Sequence, residues 1–272
     1  MNDIKDSLKE NKIKPSKKLG QNFLIDEIIV KKIISSAEIK SDDIVLEIGP
    51  GTGVLTKEIA KKAKKVIAIE KDKGLIDLLK ESLKNFKNAE IICADILSYD
   101  FRSPNFKIIA NIPYYITSPL IRKFLESENR PKEMILMVQK EVAQRISANP
   151  PNMSLLSVSA QFYADIKILF YVSKKCFLPS PKVDSAVIKI IPKKSELNKN
   201  KNFRILFFKI VKAGFLSPRK QIINNLSKGL DINKENTKDW LLKNNIEPKR
   251  RAETLSLKEW ANLALSIQVL KS

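Results

Sequence analysis

Histidine is absent from all 272 residues. Its absence excludes Ser-His-Asp triads, imidazole acid–base catalysis and His metal ligands. Cysteine occurs twice, at Cys93 and Cys176, too sparsely and too far apart for a disulfide framework or a Cys-rich zinc site. No metal is therefore expected. No apolar run approaches the roughly 20 residues that span a bilayer, and residues 1–18 are polar and Lys-rich, without the apolar centre of a signal peptide. The expectation is a cytoplasmic protein with no membrane partner. Negative charge is also short: 50 Lys and Arg stand against 30 Asp and Glu, a net charge of +20. Such a surplus favours a polyanionic partner, because each cation on a phosphate releases condensed counterions. A lysine bias in the source genome would also fit the many Lys, Asn and Ile residues. Charge alone does not separate nucleic acid from an anionic membrane surface.

Hydrophobic residues make up 43% of the chain, enough for one large core with a small appended domain. From 44 to 140, short β-branched runs alternate with amphipathic stretches. Strands are expected at 44–48, 65–70, 90–93, 107–110 and 134–138, with helices at 54–62, 74–83, 119–125 and 140–147. Such alternation implies an α/β domain with a mostly parallel sheet covered on both faces. Two further apolar runs, 166–172 and 186–191, flank a proline-rich loop and suit late antiparallel strands. The pattern changes at Pro192. A polar linker follows, and then helical periodicity to the end, with candidate helices at 203–214, 218–227, 236–244 and 256–270. Residues 193–272 hold 18 Lys and Arg against 7 Asp and Glu, over half of the excess charge. The division expected is a catalytic domain over 1–192 and a small, basic, all-helical domain over 193–272.

The strongest local motif is Glu47-Ile48-Gly49-Pro50-Gly51-Thr52-Gly53, which follows the first strand of the alternating series and opens a helix. Alternating glycines let the backbone turn sharply and approach a ligand with no Cβ in the way, which makes Gly49 and Gly51 candidate ligand contacts. The spacing is neither the dinucleotide G-x-G-x-x-G nor a P-loop, so contact with a nucleoside is favoured over a phosphate cradle. Glu70 ends the next strand, where a carboxylate can accept from both ribose hydroxyls. Asp95 closely follows the third strand, where it can accept from an adenine amino group. Alone, each is a turn glycine, a solvated Glu or a capping Asp. At three consecutive strand ends they converge on the edge where ligands bind such sheets.

The fourth strand runs into Asn111-Ile112-Pro113-Tyr114-Tyr115. A flipped adenine needs two acceptors for its N6 hydrogens and a flat surface for its ring. Asn111 offers one oxygen, the backbone carbonyl of Ile112 or Pro113 a second, and Tyr114 the stacking face. Phe177, in the proline-rich loop, is a candidate second stacking surface, with a core aromatic as the alternative. Positioning and electrostatics would supply most of the rate. No strong base is needed, because the amine loses its proton after attack.

These residues resemble a known family, the ribosomal RNA adenine N6,N6-dimethyltransferases, in their bacterial small-subunit branch. The resemblance runs over nearly the whole chain from Lys17. It is carried by residues 19–24 (LGQNFL), 47–53, 111–114, 177–185 (FLPSPKVDS), 214–226 (GFLSPRKQIINNL) and 251–257 (RAETLSL). It implies a class I (Rossmann-like) methyltransferase fold, with S-adenosylmethionine as cofactor and methyl donor, contacted at Asn22, Leu24, Gly49, Glu70, Asp95 and Asn111. It further implies two adjacent adenosines near the 3′ end of 16S rRNA, in a 30S precursor, as substrate, with the helical domain docking the particle. Arg219, Lys220, Lys249, Arg250 and Arg251 are the candidate RNA contacts. Where the family often has paired arginines this chain has Arg219-Lys220, which keeps the charge but loses a bidentate phosphate fork. A monomer is expected, and residues 1–16 carry no assigned role. A large-subunit 23S rRNA adenine methyltransferase and an RNA-binding assembly checkpoint are the alternatives, whereas a small-molecule N-methyltransferase fits the +20 charge poorly.

Overall fold

The structure is a computed structural model that describes residues 13–267; residues 268–270 of the expected last helix lie outside the described residues. The chain divides into two compact units, one formed by Met1–Ala143 with Ile166–Pro192 and the other by Gln144–Asp165 with Lys193–Ser272. The break at Pro192 coincides with the change in sequence pattern, and residues 144–165 group with the C-terminal segment.

The first unit is built on a seven-stranded sheet. In chain order its elements begin with β1 (Phe23–Leu24), α1 (Glu27–Ser36), β2 (Ile44–Ile48), α2 (Val54–Ala60), β3 (Lys65–Glu70), α3 (Lys73–Leu83) and β4 (Ala89–Cys93). They continue with β5 (Phe106–Asn111), a 3-10 turn at Tyr114–Ile116, α4 (Thr117–Glu126) and β6 (Met134–Gln139), followed by α5 (Lys140–Ile146), within which the chain passes from the first unit to the second. After α6 (Leu155–Tyr163) come β7 (Ala164–Val172), β8 (Phe177–Leu178) and β9 (Ser185–Pro192). The sheet order is β4-β3-β2-β5-β6-β9-β7. Strands β4, β3, β2, β5 and β6 run parallel, while β9 lies antiparallel to β6. The expected mostly parallel sheet with a late antiparallel addition is thus present. Val45, Leu46, Val66, Ile108, Ile109 and Leu136 are essentially inaccessible on the central strands, and burying each such side chain contributes about 1.5–3 kcal/mol. The strand order reverses between β2 and β5, which places the carboxyl ends of β2, β3, β4 and β5 around the crevice where such sheets bind ligands.

Two short strands fall outside the sequence-based expectations. β1 pairs antiparallel with β8, with Phe23 opposite Leu178 and Leu24 opposite Phe177. This ribbon joins residues 19–24 to the proline-rich loop. Helix α1 falls outside those expectations too, although its signals are ordinary: Asp26 caps it by accepting from the Ile28 and Ile29 amides, and Val30, Ile33 and Ile34 form its buried stripe.

The second unit is helical. After α6 it holds α7 (Glu196–Lys199), α8 (Lys201–Gly214), α9 (Ile222–Leu230), α10 (Lys234–Lys243) and α11 (Leu257–Ser266). Phe162 of α6 stacks on Phe207 of α8 with ring centroids 4.3 Å apart. Trp240 and Trp260 are fully buried. Helix α9 starts at Ile222 rather than at residue 218, because Pro218 lies in a turn and the amides of Ile222 and Ile223 are taken by the carbonyls of Arg250 and Pro248.

Candidate active site

The glycine turn after β2 has the conformation its composition demands. Gly49, Gly51 and Gly53 take φ of +64°, +59° and +78°, the left-handed region that a side chain resists. At Gly51 there is also little room, since a Cβ would lie 3.0 Å from the Phe23 ring. The turn therefore closes on β1. The Gly49 amide donates to the Ile69 carbonyl over 2.9 Å, and the Gly51 amide to the Glu70 carboxylate over 3.2 Å. The other Glu70 oxygen accepts from the Asp72 amide at 2.8 Å. Each oxygen keeps a further lone pair, so the carboxylate is held in place with capacity for hydroxyl donors. Burial raises the pKa of Glu70, with the backbone amides of Asp72, Gly51 and Lys71 opposing the shift.

Asp95 follows β4 on the same cavity wall. One of its oxygens accepts from the Leu97 amide at 2.9 Å; the other pairs with the Lys71 ammonium at 2.8 Å. The bond to Lys71 and that from Leu97 hold its carboxyl below the usual range. Lys71 is a site residue that the sequence did not reveal, because its partner lies 24 positions away and only the β3–β4 pairing brings them together.

Asn111 ends β5 at the same edge. Its side-chain amide donates to the Asn22 carbonyl over 3.2 Å. Only the nitrogen of an amide can face a carbonyl, so this contact sets the orientation and leaves Oδ1 as an acceptor. Of the two carbonyls considered for the second acceptor, that of Pro113 already accepts from the Ile116 amide at 3.1 Å. The Ile112 carbonyl has no partner among the described residues, so it is the better placed of the two. Tyr114 is held at its far end by a 2.8 Å hydrogen bond with Ser185. Burial raises its pKa, and the phenol is neutral.

One cavity brings together Asn22, Leu24, Gly49, Gly51, Glu70, Asp95, Asn111, Ile112, Pro113 and Tyr114. Asn22 and Leu24, which the residues alone did not mark, reach it because the β1–β8 ribbon and the Gln21–Asp72 hydrogen bond, 2.6 Å long, fasten residues 19–24 across its mouth. Phe177 is not among the lining residues. It is 3% exposed and packs in the apolar cluster with Leu24, Ile33 and Val172, the surroundings that the core alternative describes. Glu47, also on the wall, is 1% exposed, and burial, with the charge of Glu70 adding, pushes it up to about 8. Among the described residues its Oε2 makes no hydrogen bond, while the nearby Thr56 hydroxyl opposes the shift.

The sequence itself matches the family model for ribosomal RNA adenine dimethylase over residues 12–268. The chain belongs to the ribosomal RNA adenine dimethylases. The dimethylase is 41% identical over 273 residues to a ribosomal RNA small subunit methyltransferase A of Dehalococcoides mccartyi, covering 97% of this chain and 92% of the relative. It is 42% identical over 267 residues to the protein of that name in Clostridium botulinum, covering 96% of each. Among solved structures it is similar to a dimethyladenosine transferase from Plasmodium falciparum, with a TM-score of 0.78 and 31% identity over 91% of this chain and 98% of that one. It is also similar to the 23S rRNA methyltransferase ErmE, with a TM-score of 0.76 and 26% identity over 90% of this chain and 98% of that one. The dimethylase is therefore an enzyme with a class I methyltransferase fold.

Membership implies S-adenosylmethionine as methyl donor, and the cavity fits a nucleoside. The turn at Gly49–Gly51 leaves backbone approach open, and anchored carboxylates stand at the ends of two successive strands. Among the described residues no group of three or more His, Cys, Asp or Glu could hold a metal, and no helix is long and apolar enough to cross a membrane.

The five candidate RNA contacts are all in the second unit. Arg219, Lys220, Lys249 and Arg251 are exposed. Arg250 differs from these four: its guanidinium donates to the hydroxyl and carbonyl of Thr254 and pairs with Glu259, so most of its donors are engaged within the fold.

Proposed function

We infer that this dimethylase methylates N6 of two adjacent adenosines near the 3′ end of 16S rRNA, twice each, in a precursor of the 30S subunit, acting as a monomer in the cytoplasm. The observation that carries the chemistry is Asn111, whose amide is turned by Asn22 so that its oxygen remains free at the cavity wall. Bound S-adenosylmethionine supplies an electrophilic methyl group. Glu70 would accept from the ribose hydroxyls, and Asp95 from the adenine amino group, of that cofactor. Asn111 Oδ1 and the Ile112 carbonyl would accept the two N6 hydrogens of the target adenine in the first transfer, and one of them the single hydrogen left in the second, raising electron density on the nitrogen and aiming its lone pair. Tyr114 would stack on the flipped ring. The proton lost after attack goes to water, and the lack of histidine is no obstacle.

The small-subunit assignment is supported by the relatives at 41 and 42% identity, whose name specifies that subunit. A 23S substrate is the second reading, favoured by the likeness to ErmE at 26% identity. Incubation with labelled S-adenosylmethionine and either unmodified 30S subunits or isolated 23S RNA separates the two. N6,N6-dimethyladenosine in 16S RNA, lost in Asn111→Ala, is expected. Label confined to 23S RNA sinks the small-subunit reading.

A further inference from the structure

The stretch 177–185 runs along the catalytic edge, yet the reaction described above uses none of it. Its last residue, Ser185, opens β9 opposite Gln139 at the carboxyl end of β6. One strand further along the sheet, Asn111 at the end of β5 lies opposite Met137 of β6. The start of β9 and the catalytic loop therefore share one edge. Ser185 is inaccessible to solvent, and its hydroxyl meets the Tyr114 hydroxyl at 2.8 Å. The preceding residue is tied down twice: the Asp184 carbonyl accepts from the Lys140 amide and its carboxylate from the Lys174 amide, each over 3.0 Å.

We propose that Ser185 is a positioning residue for methyl transfer, holding the axis of the Tyr114 ring in the position against which the target adenine stacks. The first side-chain torsion of a tyrosine swings the whole ring, whereas the phenol oxygen lies on the axis of the second, so a bond at that oxygen restrains the swing. The backbone turn at Tyr114–Ile116 holds one end of the side chain, and a hydrogen bond at the phenol oxygen holds the other. The two residues are 71 positions apart, so the clamp joins the loop after β5 to the strand that runs antiparallel to β6. A ring free to swing would still bind the substrate but would leave N6 off the methyl-transfer line for part of the time. Small misplacements of a reacting group are costly in rate.

This inference rests on the proposed stacking role of Tyr114, so the test contains a control for that role. Initial rates on unmodified 30S subunits are measured for the wild type, Ser185→Ala, Tyr114→Phe, the double variant and Tyr114→Ala, alongside cofactor affinity and melting temperature. Ser185→Ala is expected to lower kcat about five- to tenfold, the effect of one lost hydrogen bond, with KM for the 30S subunit and the cofactor Kd within about twofold of wild type. Tyr114→Phe keeps the ring and loses the same bond, so it should fall by a similar factor. The double variant should be no slower than either single one, because both remove one interaction. Unchanged kcat in Ser185→Ala, or losses that multiply in the double variant, overturn the proposal while leaving the stacking role intact if Tyr114→Ala is inactive. Full activity in Tyr114→Ala overturns both. A loss in Ser185→Ala that tracks only the fraction of unfolded protein assigns Ser185 to stability and overturns the positioning role.

Discussion

Burial takes Glu47 out of water without giving its Oε2 a hydrogen-bond partner among the described residues, and its folded-state pKa stands at about 8 against 4.5 for the free side chain. The sign of the consequence follows from linkage. Below pH 4.5 the acid is protonated in both states and costs nothing. As pH rises from there toward 8, the unfolded chain releases a proton that the folded one keeps, and stability falls; above 8 the penalty is complete. Glu47→Gln keeps the shape and removes the charge. It should raise the melting temperature at pH 8, by an amount equivalent to a few kcal/mol, with the gain shrinking to nothing near pH 4; an equal gain at both values would mean that charge is not the cause. Gly51→Ala should act the opposite way. It puts a Cβ at φ +59° against the Phe23 ring, costing about 1–2 kcal/mol for the left-handed conformation alone. Cofactor affinity measured by calorimetry should fall with it, and an unaltered Kd would show that the turn does not touch the ligand. Much of this site was legible in the sequence. Glu70, Asp95 and Asn111 could be read because each follows a strand-like run, and position after a strand implies position at the sheet's carboxyl edge. Gln21, Lys71 and Ser185 could not, since their meaning lies in partners at Asp72, Asp95 and Tyr114 that only tertiary pairing supplies.

Among the elements, a buried charge ties helix to sheet. Lys107 of β5 is 7% exposed, and its ammonium lies 3.0 Å from both Asp43 and Glu133 and 3.1 Å from the carbonyls of Ala37 and Glu38, where α1 ends. Removing the cation leaves two buried carboxylates facing each other. Lys107→Met should therefore destabilise the fold by about 3–5 kcal/mol, read as a lowered urea midpoint, and a loss under about 1 kcal/mol would show that water or Lys132 and Lys189 replace it. In the helical unit, α8 and α11 approach at Gly214, where a Cβ would come within 2.3 Å of Trp260. Gly214→Ala should cost about 1–3 kcal/mol from overpacking and shift the tryptophan emission; an unshifted melt would mean that the helices part freely. The sheet strands are readable to within a residue or two, since fully buried parallel strands appear as short β-branched runs. The two-residue strands β1 and β8 carry too little pattern to be seen without each other. The start of α9 is hidden as well, because polar 217–221 looks helical until its neighbours' carbonyls are in view.

At the scale of the whole molecule, charge makes the broadest claim. The net +20, with over half of the excess in residues 193–272, predicts that binding to ribosomal RNA depends steeply on salt while cofactor binding does not. Raising monovalent salt from about 50 to about 200 mM should weaken RNA affinity by at least tenfold and leave the cofactor Kd within about twofold. Sequence alone counts these cations without ranking them; the structure separates them by what each already holds. Arg219 and Lys220 are exposed, so replacing both with Ala should lower the slope of log Kobs against log salt by roughly 1–2, about 0.7–0.9 for each phosphate no longer neutralised. Arg250 is engaged by Thr254 and Glu259. Arg250→Ala should leave the slope unaltered and lower the melting temperature instead, because the Thr254 carbonyl and the Glu259 carboxylate lose their donor. The reverse pattern, a flatter slope for Arg250→Ala and none for the Arg219–Lys220 pair, would move the RNA-facing surface away from the turn at 217–221 and toward the segment around residue 250.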